Sequence, residues 1–248
     1  NPINSTIADA QGEGRILDNA DKPSLSVSTT EVVEGGYAVF NIQLSNPSTE
    51  DVTFDLTPKE GTATQDDYSS IVEVSYDGGV TWTPASEAII PAGKTQILAR
   101  VQTTQDDMDE AVEQFILTAD ITSGNTTNVS STGTASILDN DGEPQLVISD
   151  SSVNEEDGLL TFVVSLSNPS SNVVTVNYVT ADGTAIAGSD YVSSTGTITF
   201  APGETSKIIT VAVLDDNVFE NPESMYVNLS NPINSTIADA QGEGRILD

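Results

Sequence analysis

The chain repeats itself. Residues 1–18, NPINSTIADAQGEGRILD, recur unchanged as residues 231–248, and a weaker repeat of about half that period lies between them. LSVSTTEVVEGGYAVFNIQLSNPS from Leu25 matches LVISDSSVNEEDGLLTFVVSLSNPS from Leu146, and KEGTATQDDYSS from Lys59 matches ADGTAIAGSDYVSS from Ala181. IIPAGKTQILARVQTTQDD from Ile89 matches TFAPGETSKIITVAVLDD from Thr199, and GTASILD from Gly133 matches GEGRILD from Gly242. A sequence that returns to one pattern must build one structural unit each time. The pattern sets a first module at 22–142 and a second at 143–248, with 1–21 as the C-terminal strand segment of a preceding repeat. A long array with a two-module period would generate it, and the chain reads as a piece of one.

Within each module the periodicity is that of strands. Val174, Val176 and Tyr178 alternate with Thr175, Asn177 and Val179, and Ile209, Val211 and Val213 alternate likewise, as do Ile198 and Phe200. Asn-Pro at 46–47 and 168–169, Pro-Ala-Gly at 91–93 and Pro-Gly at 202–203 punctuate these runs. No long helical period competes with them. The expected fold is all-β: tandem immunoglobulin-like Greek-key β-sandwiches of about seven strands each. The connecting segments, 139–144 and 18–23, are short and end in proline, leaving little slack between neighbours.

Charge narrows the functions. Asp and Glu number 38 against 7 Lys and Arg, a formal net charge of -31. Such a field repels phosphate backbones and anionic lipid, so neither nucleic acid nor membrane surface is expected as a partner. No stretch is apolar for long enough to insert in a bilayer. Cys and His are absent, which removes thiolate and imidazole metal sites and any Ser-His or Cys-His nucleophile.

The acids recur at matched points. Each module has an early glutamate, Glu34 or Glu155, and an Asp-Tyr after Gly-Thr-Ala, at Asp67-Tyr68 or Asp190-Tyr191. A strand then runs into Asp106, Asp107, Glu110 and Glu113, or Asp215, Asp216, Glu220 and Glu223. Ile-Leu-Asp closes each module, with Asp139 and Asp141 in the first and Asp248 in the second. In a Greek-key sandwich these loops can meet at one end, where so many carboxylates would repel without a cation. Calcium suits the donors, because it takes 6–8 oxygen ligands in flexible geometry and needs neither nitrogen nor sulfur.

The order Glu, Gly-Thr-Ala and then Asp-Tyr, Pro-Gly or Pro-Ala-Gly, Asp-Asp followed by Glu-x-x-Glu, and Ile-x-Asp-x-Asp resembles the Calx-beta domain, across nearly the whole chain. The resemblance implies Ca2+ bound at the end of each sandwich, bridging to the next. By position it implies Glu34, Asp67, Asp106, Asp107, Glu110, Asp139 and Asp141 as ligands in the first module. Their counterparts in the second are Glu155, Asp190, Asp215, Asp216, Glu220 and Asp248. The terminal run departs from the three aspartates of the Calx-beta domain as it occurs in sodium/calcium exchangers: it is Asp139-Asn140-Asp141 here, and Asp18-Asn19-Ala20-Asp21 in the other repeat. The second module's site is therefore expected to be the weaker.

Ser75-Tyr-Asp-Gly-Gly-Val-Thr-Trp82 fits the Asp-box, a β-hairpin motif resembling those of sialidase propellers, within an insertion at about 71–88 that the second module lacks. A sialidase needs an arginine cluster, and the chain has only Arg15, Arg100 and Arg245; the motif is expected to be structural, with Trp82 as its anchor. Paired carboxylates also serve glycosidases, but acids repeated in every module suit an ion site better than one cleft. The expectation is a non-enzymatic, calcium-binding structural repeat of a secreted or cell-surface bacterial adhesin, fibre or matrix protein, with calcium rigidifying its junctions. The alternatives are a calcium-sensing regulatory tandem of the sodium/calcium exchanger type, or a carbohydrate-binding surface module. Neighbouring repeats are the expected partners, together with head-to-tail self-association through residues 1–18.

Overall fold

The alternating sequence folds as two β-sandwiches in tandem. The computed structural model describes residues 3, 11, 13–15, 21–216 and 219–247. In the first sandwich the strands are β1 (Leu25–Val27), β2 (Thr30–Val33), β3 (Tyr37–Leu44), β4 (Val52–Glu60), β5 (Tyr68–Ser75), β6 (Thr83–Pro84), β7 (Glu87–Ile90), β8 (Gln96–Thr103), β9 (Glu113–Ser123) and β10 (Ser130–Leu138). One sheet has the order β1-β3-β8-β5-β6 and the other β2-β10-β9-β4-β7. The second sandwich contains β11 (Gln145–Ile148), β12 (Ser151–Asn154), β13 (Leu159–Leu166), β14 (Val174–Asp182), β15 (Thr195–Phe200), β16 (Ser206–Ala212), β17 (Glu223–Ile233), β18 (Thr236–Ile237) and β19 (Gln241–Leu247). Its sheets run β16-β13-β11-β18 and β12-β19-β17-β14-β15.

These are more strands than the seven expected per module, for two reasons. The first strand of each module changes sheets midway: β1 pairs antiparallel with β3 while β2 pairs parallel with β10, and β11 and β12 do the same with β13 and β19. The crossing strand passes so close to the last that no side chain fits between them. A Cβ on Gly133 would lie 2.1 Å from the Ser28 carbonyl oxygen, and one on Gly242 2.6 Å from that of Ser149. This explains the glycine that opens both GTASILD and GEGRILD. Short additional strands make up the rest: in the first module β5 runs on along β8 before the chain turns through β6 to β7, and in the second the two-residue β18 pairs parallel with β11.

Alternation becomes burial. Val174 and Val176, Ile198 and Phe200, and Ile209, Val211 and Val213 face inward. Two separate apolar cores result, one inside each sandwich. In the first, Phe115 stacks on Tyr68 with centroids 4.4 Å apart and meets Phe40 edge-on at 6.0 Å, both preferred aromatic geometries.

The Asp-box is a self-contained turn. Asp77 accepts from the backbone N–H groups of Val80 and Thr81 and from the hydroxyls of Ser75 and Thr81, and these bonds hold its carboxyl well below the usual range. Gly78 and Gly79 adopt positive φ, which a side chain would resist. Trp82 donates from Nε1 to the Gly79 carbonyl, and the Arg100 guanidinium lies 4.4 Å from its ring centroid. Arg100 also lies 3.9 Å from the Tyr37 ring and pairs with Glu73, so the indole is engaged in packing. Asp77→Ala should free the turn and shift Trp82 fluorescence to the red while leaving far-ultraviolet dichroism unchanged. An unshifted emission spectrum would mean that the indole is held without the Asp77 cap.

Candidate metal centre

Antiparallel topology brings four chain segments of the first sandwich to one end. Glu34 follows β2, Asp67 precedes β5, Asp106 and Glu110 lie between β8 and β9, Glu113 opens β9, and Asp139 follows β10. Strand ladders tie them in place. Glu34 N–H donates to the Leu138 carbonyl at 3.0 Å, Gly35 N–H to Thr104 at 3.1 Å, and Thr104 N–H to the Asp67 carbonyl at 2.8 Å. Glu34, Asp67, Asp106, Glu110, Glu113 and Asp139 line one cavity of about 10 Å³, with Thr104, Ala111 and Ile137. No base is among them.

Carboxylate oxygens converge here in two groups, Glu34 with Asp139 and Asp141, and Asp67 with Glu110 and Glu113; within each group they lie within 4.8 Å of one another. Several are already oriented by the backbone. Asp106 N–H donates to Glu34 Oε1 at 2.7 Å, Met108 N–H to Asp106 Oδ1 at 2.7 Å, and Thr64 N–H to Asp67 Oδ2 at 2.6 Å. Asp141 N–H donates to Asp139 Oδ1 at 3.2 Å, while Asp141 Oδ2 is buried with no hydrogen-bond partner. A buried carboxylate oxygen without a donor is costly, and a cation would satisfy it. An all-oxygen cage with a single-ion cavity fits a hard divalent cation.

Crowding shows in the protonation equilibria. Burial, then repulsion from Asp67, Asp106, Glu34 and Asp139, pushes Glu110 up to about 7. Burial, a hydrogen bond shared with Asp67, and the charges of Asp67 and Glu110 push Glu113 to about 7. Burial first, then acidic neighbours, also raises Glu34 and Asp141. In cation-free protein the folded state keeps the Glu110 and Glu113 protons at pH values where the unfolded chain, titrating near 4.5, has lost them. Their contribution to stability is fully present below about pH 4.5 and is lost as pH rises through about 7. Melts in chelator should therefore show the first module more stable at pH 5.5 than at pH 8; equal stability would mean that the acids do not crowd in solution.

The second module carries a smaller counterpart. Asp190, Glu220 and Glu223 form one three-carboxylate group. Burial, followed by the charge of Asp190 and a hydrogen bond with it, raises Glu223. Glu155, in a short 3-10 turn, is buried and accepts from Asp216 N–H at 3.2 Å. Asp190 accepts from Ile186 N–H at 2.6 Å. Asp248 and Asp18 lie outside the described residues.

Most of the expected ligands thus meet, with three differences. Asp106 and Asp107 join neither group of the first module; Asp106 lines the cavity, and Asp107 is a nearby charge that raises Asp141. Glu155, Asp215 and Asp216 join no group either, and the Asp216 N–H donates to Glu155. Glu113 and Glu223 join the groups although the family pattern did not mark them as ligands. Their signal was the Glu-x-x-Glu spacing, which carries the first Glu on the loop and sets the second at the start of β9 or β17. Asp182 also went unmarked: it accepts from the Tyr191 hydroxyl at 2.6 Å and from Ala187 N–H at 2.9 Å, bracing the Gly-Thr-Ala turn ahead of Asp190.

The acidic loop of the first module also touches the second. Asp109 sits between Asp106 and Glu110 and forms a parallel bridge with Ser170. Its N–H donates to the Pro169 carbonyl and its carbonyl accepts from Ser171 N–H, both at 3.0 Å. Its carboxylate accepts from the Ser170 hydroxyl at 3.0 Å, and Ser170 is itself buried. Beside it, Asn168 donates to the Gly142 carbonyl of the connecting segment at 2.8 Å.

The Calx-beta domain profile matches residues 18–143 and again residues 139–244. "Sodium/calcium exchanger 1" of Canis lupus familiaris is 49% identical over 71 residues, 29% of this chain and 7% of that protein. The Rattus norvegicus protein of the same name is 52% identical over 77 residues, 31% of this chain and 8% of that protein. The chain thus matches only a small part of these relatives. Among solved structures, the apo-form Calx CBD1 domain is 31% identical with a TM-score of 0.42, covering 43% of this chain and 98% of that one. CBD12 from CALX1.2 is 17% identical with a TM-score of 0.41, covering 91% and 99%. With the domain profile spanning both sandwiches, the chain belongs to the Calx-beta family, as two domains in tandem.

Proposed function

We propose that this tandem binds calcium at the acid cluster of the first module and thereby sets how firmly the second module is held. This is a regulatory role of the kind suggested by its similarity to part of the sodium/calcium exchangers. Asp67, Asp106, Glu110, Glu113, Asp139 and Asp141, with Glu34, would hold the cation. The observation that carries the reading is the place of Asp109. It lies in the same short loop as Asp106 and Glu110 and is bonded through backbone and side chain to Pro169, Ser170 and Ser171. Without a cation the acids of that loop would repel one another; a bound cation would hold the loop, and the bridge would carry the constraint across. The cluster calls for ion binding and the role proposed is not that of an enzyme.

Calorimetric titration with calcium, paired with NMR relaxation of each module, tests this. Calcium should bind and bring the rotational correlation times of the two modules together. Asp109→Ala should keep most of the binding heat but leave the modules tumbling separately. Absence of binding heat, or wild-type modules whose relative motion ignores calcium, would overturn the reading.

A second reading has its own observation. The unchanged recurrence of 18 residues favours a repetitive array, secreted or cell-surface, in which neighbouring repeats are the partners and calcium stiffens each junction. Small-angle scattering separates the two, since an array element should stay extended in calcium. Head-to-tail docking through residues 1–18 belongs to this reading, and that segment lies almost wholly outside the described residues.

A further inference from the structure

The two sandwiches differ at one sheet edge, and the difference leaves a strand uncovered among the described residues. In the first, β8 bonds to β3 through its odd-numbered residues: Leu44 N–H donates to Thr95 and Thr103 N–H to Gly36. Its even-numbered residues face β5, where Leu98 pairs with Ser75 and Arg100 with Glu73. In the second, β16 bonds to β13 in the same phase: Leu166 N–H donates to Thr205 and Val213 N–H to Gly158. The backbone groups of Ser206, Ile208 and Thr210 therefore point away from β13, at the positions of Gln96, Leu98 and Arg100. No strand pairs with that side of β16 among the described residues. Only its far end is met, where Val192 N–H donates to the Ala212 carbonyl. The cause is in the sequence: the second module lacks the insertion that lets the first lay β5 along this edge.

An uncovered edge strand is a template for another strand, and the first module shows that the slot takes an antiparallel one. The surface beside it is apolar. Ile208 is 64% exposed and pairs with Val163, 38% exposed, with Leu159 and Val147 on the same sheet at 54% and 40%. It is also almost free of charge in a chain of net charge -31. Lys207 is the one charged residue in β11, β13 and β16, and its Nζ lies 2.7 Å from Glu204. Two copies can meet here without setting carboxylate against carboxylate, and an acidic or basic foreign strand would find no complementary charge.

We propose that β16 pairs antiparallel with β16 of a second copy about a two-fold axis at Ile208, joining the two sheets. In this register Ser206 bonds with Thr210 of the second copy and Ile208 with its own mate, which satisfies the outward backbone groups of both strands. The apolar stripe of Val163 and Ile208 then runs unbroken across the joint. The pairing stops before Ala212, whose edge Val192 already holds. So short a ladder gives a weak dimer, opposed at low salt by the charge of the two chains. Raising the salt from about 0.01 to about 0.15 M shortens the screening length from about 30 to about 8 Å and should strengthen it.

Sedimentation equilibrium of the full chain, with amide exchange read by NMR, is the test. The weight-average mass should rise from 25.9 kDa toward twice that value with concentration and with salt, and the Ser206, Ile208 and Thr210 amides should gain protection in step. Ile208→Lys sets two charges face to face at an exposed position, and Thr210→Pro removes an N–H that β13 does not use. Both should keep the wild-type dichroism and remain monomeric. Ile71→Lys, on the covering strand of the first module, should dimerise as wild type does. A wild type that stays monomeric at millimolar concentration and about 0.15 M salt would overturn the proposal. So would a dimer that survives Ile208→Lys, or a monomer whose β16 amides respond only to an added foreign peptide.

Discussion

Removing calcium should lower the melting temperature of the first module by roughly 10 °C and leave the second closer to its original value. A ligand present at a hundred times its dissociation constant stabilises the folded state by about 2.7 kcal/mol, and in a domain near 100 residues each kcal/mol is worth about 4 °C or more. The asymmetry follows from the acids. The first module gathers two carboxylate groups, one with an orphaned Asp141 oxygen, whereas the described residues of the second gather one. Magnesium should substitute poorly, because it demands a small, regular octahedron and gives up its water reluctantly. Asp67→Asn with Asp139→Asn takes a charge from each group and should remove most of the calcium-dependent shift while raising the melting temperature in chelator. Calorimetric scans in calcium, magnesium and chelator would decide it: superimposable transitions would end the ion-site reading. The Asp107→Asn change should matter far less, since Asp107 belongs to neither group.

Phe115→Ala should cost about 3–5 kcal/mol, a large share of the roughly 5–15 kcal/mol that holds an ordinary domain folded, and should dull the calcium response as well. Phe115 is fully buried, stacks on Tyr68 and meets Phe40 edge-on. Its position links core to site. Tyr68 follows Asp67 directly, and Glu113 lies two residues before Phe115 on β9, so the aromatic stack fixes the backbone from which both carboxylates project. Urea unfolding should become biphasic, with the first module unfolding early and the second unmoved, because the two cores share no residue. A single transition would show that the modules stabilise each other more than their separate cores suggest. Phe115→Leu keeps most of the volume and should recover both stability and calcium response in large part.

Much of this protein could be read before any coordinates. The doubled pattern of strands and turns set two β-sandwiches, because alternation of period two puts one face of each strand inside. The matched acids set the end where a cation belongs, because Greek-key connections return alternate loops to one pole. Local chemistry also sufficed for the Asp-box, where Asp77 and Trp82 close a turn without help from distant residues. The tertiary structure decided what depends on direction and distance. It left Asp107 and Asp215 outside the groups and brought Glu113 and Glu223 in, since a loop's course determines which of several adjacent carboxylates converge. It placed Asp109, one acid among many in the sequence, against Ser170 of the next module, a contact across 61 residues that no local pattern encodes. It also gave the missing insertion a physical meaning. In the sequence the second module is simply shorter there; in space that shortening takes away the strand that would have covered β16.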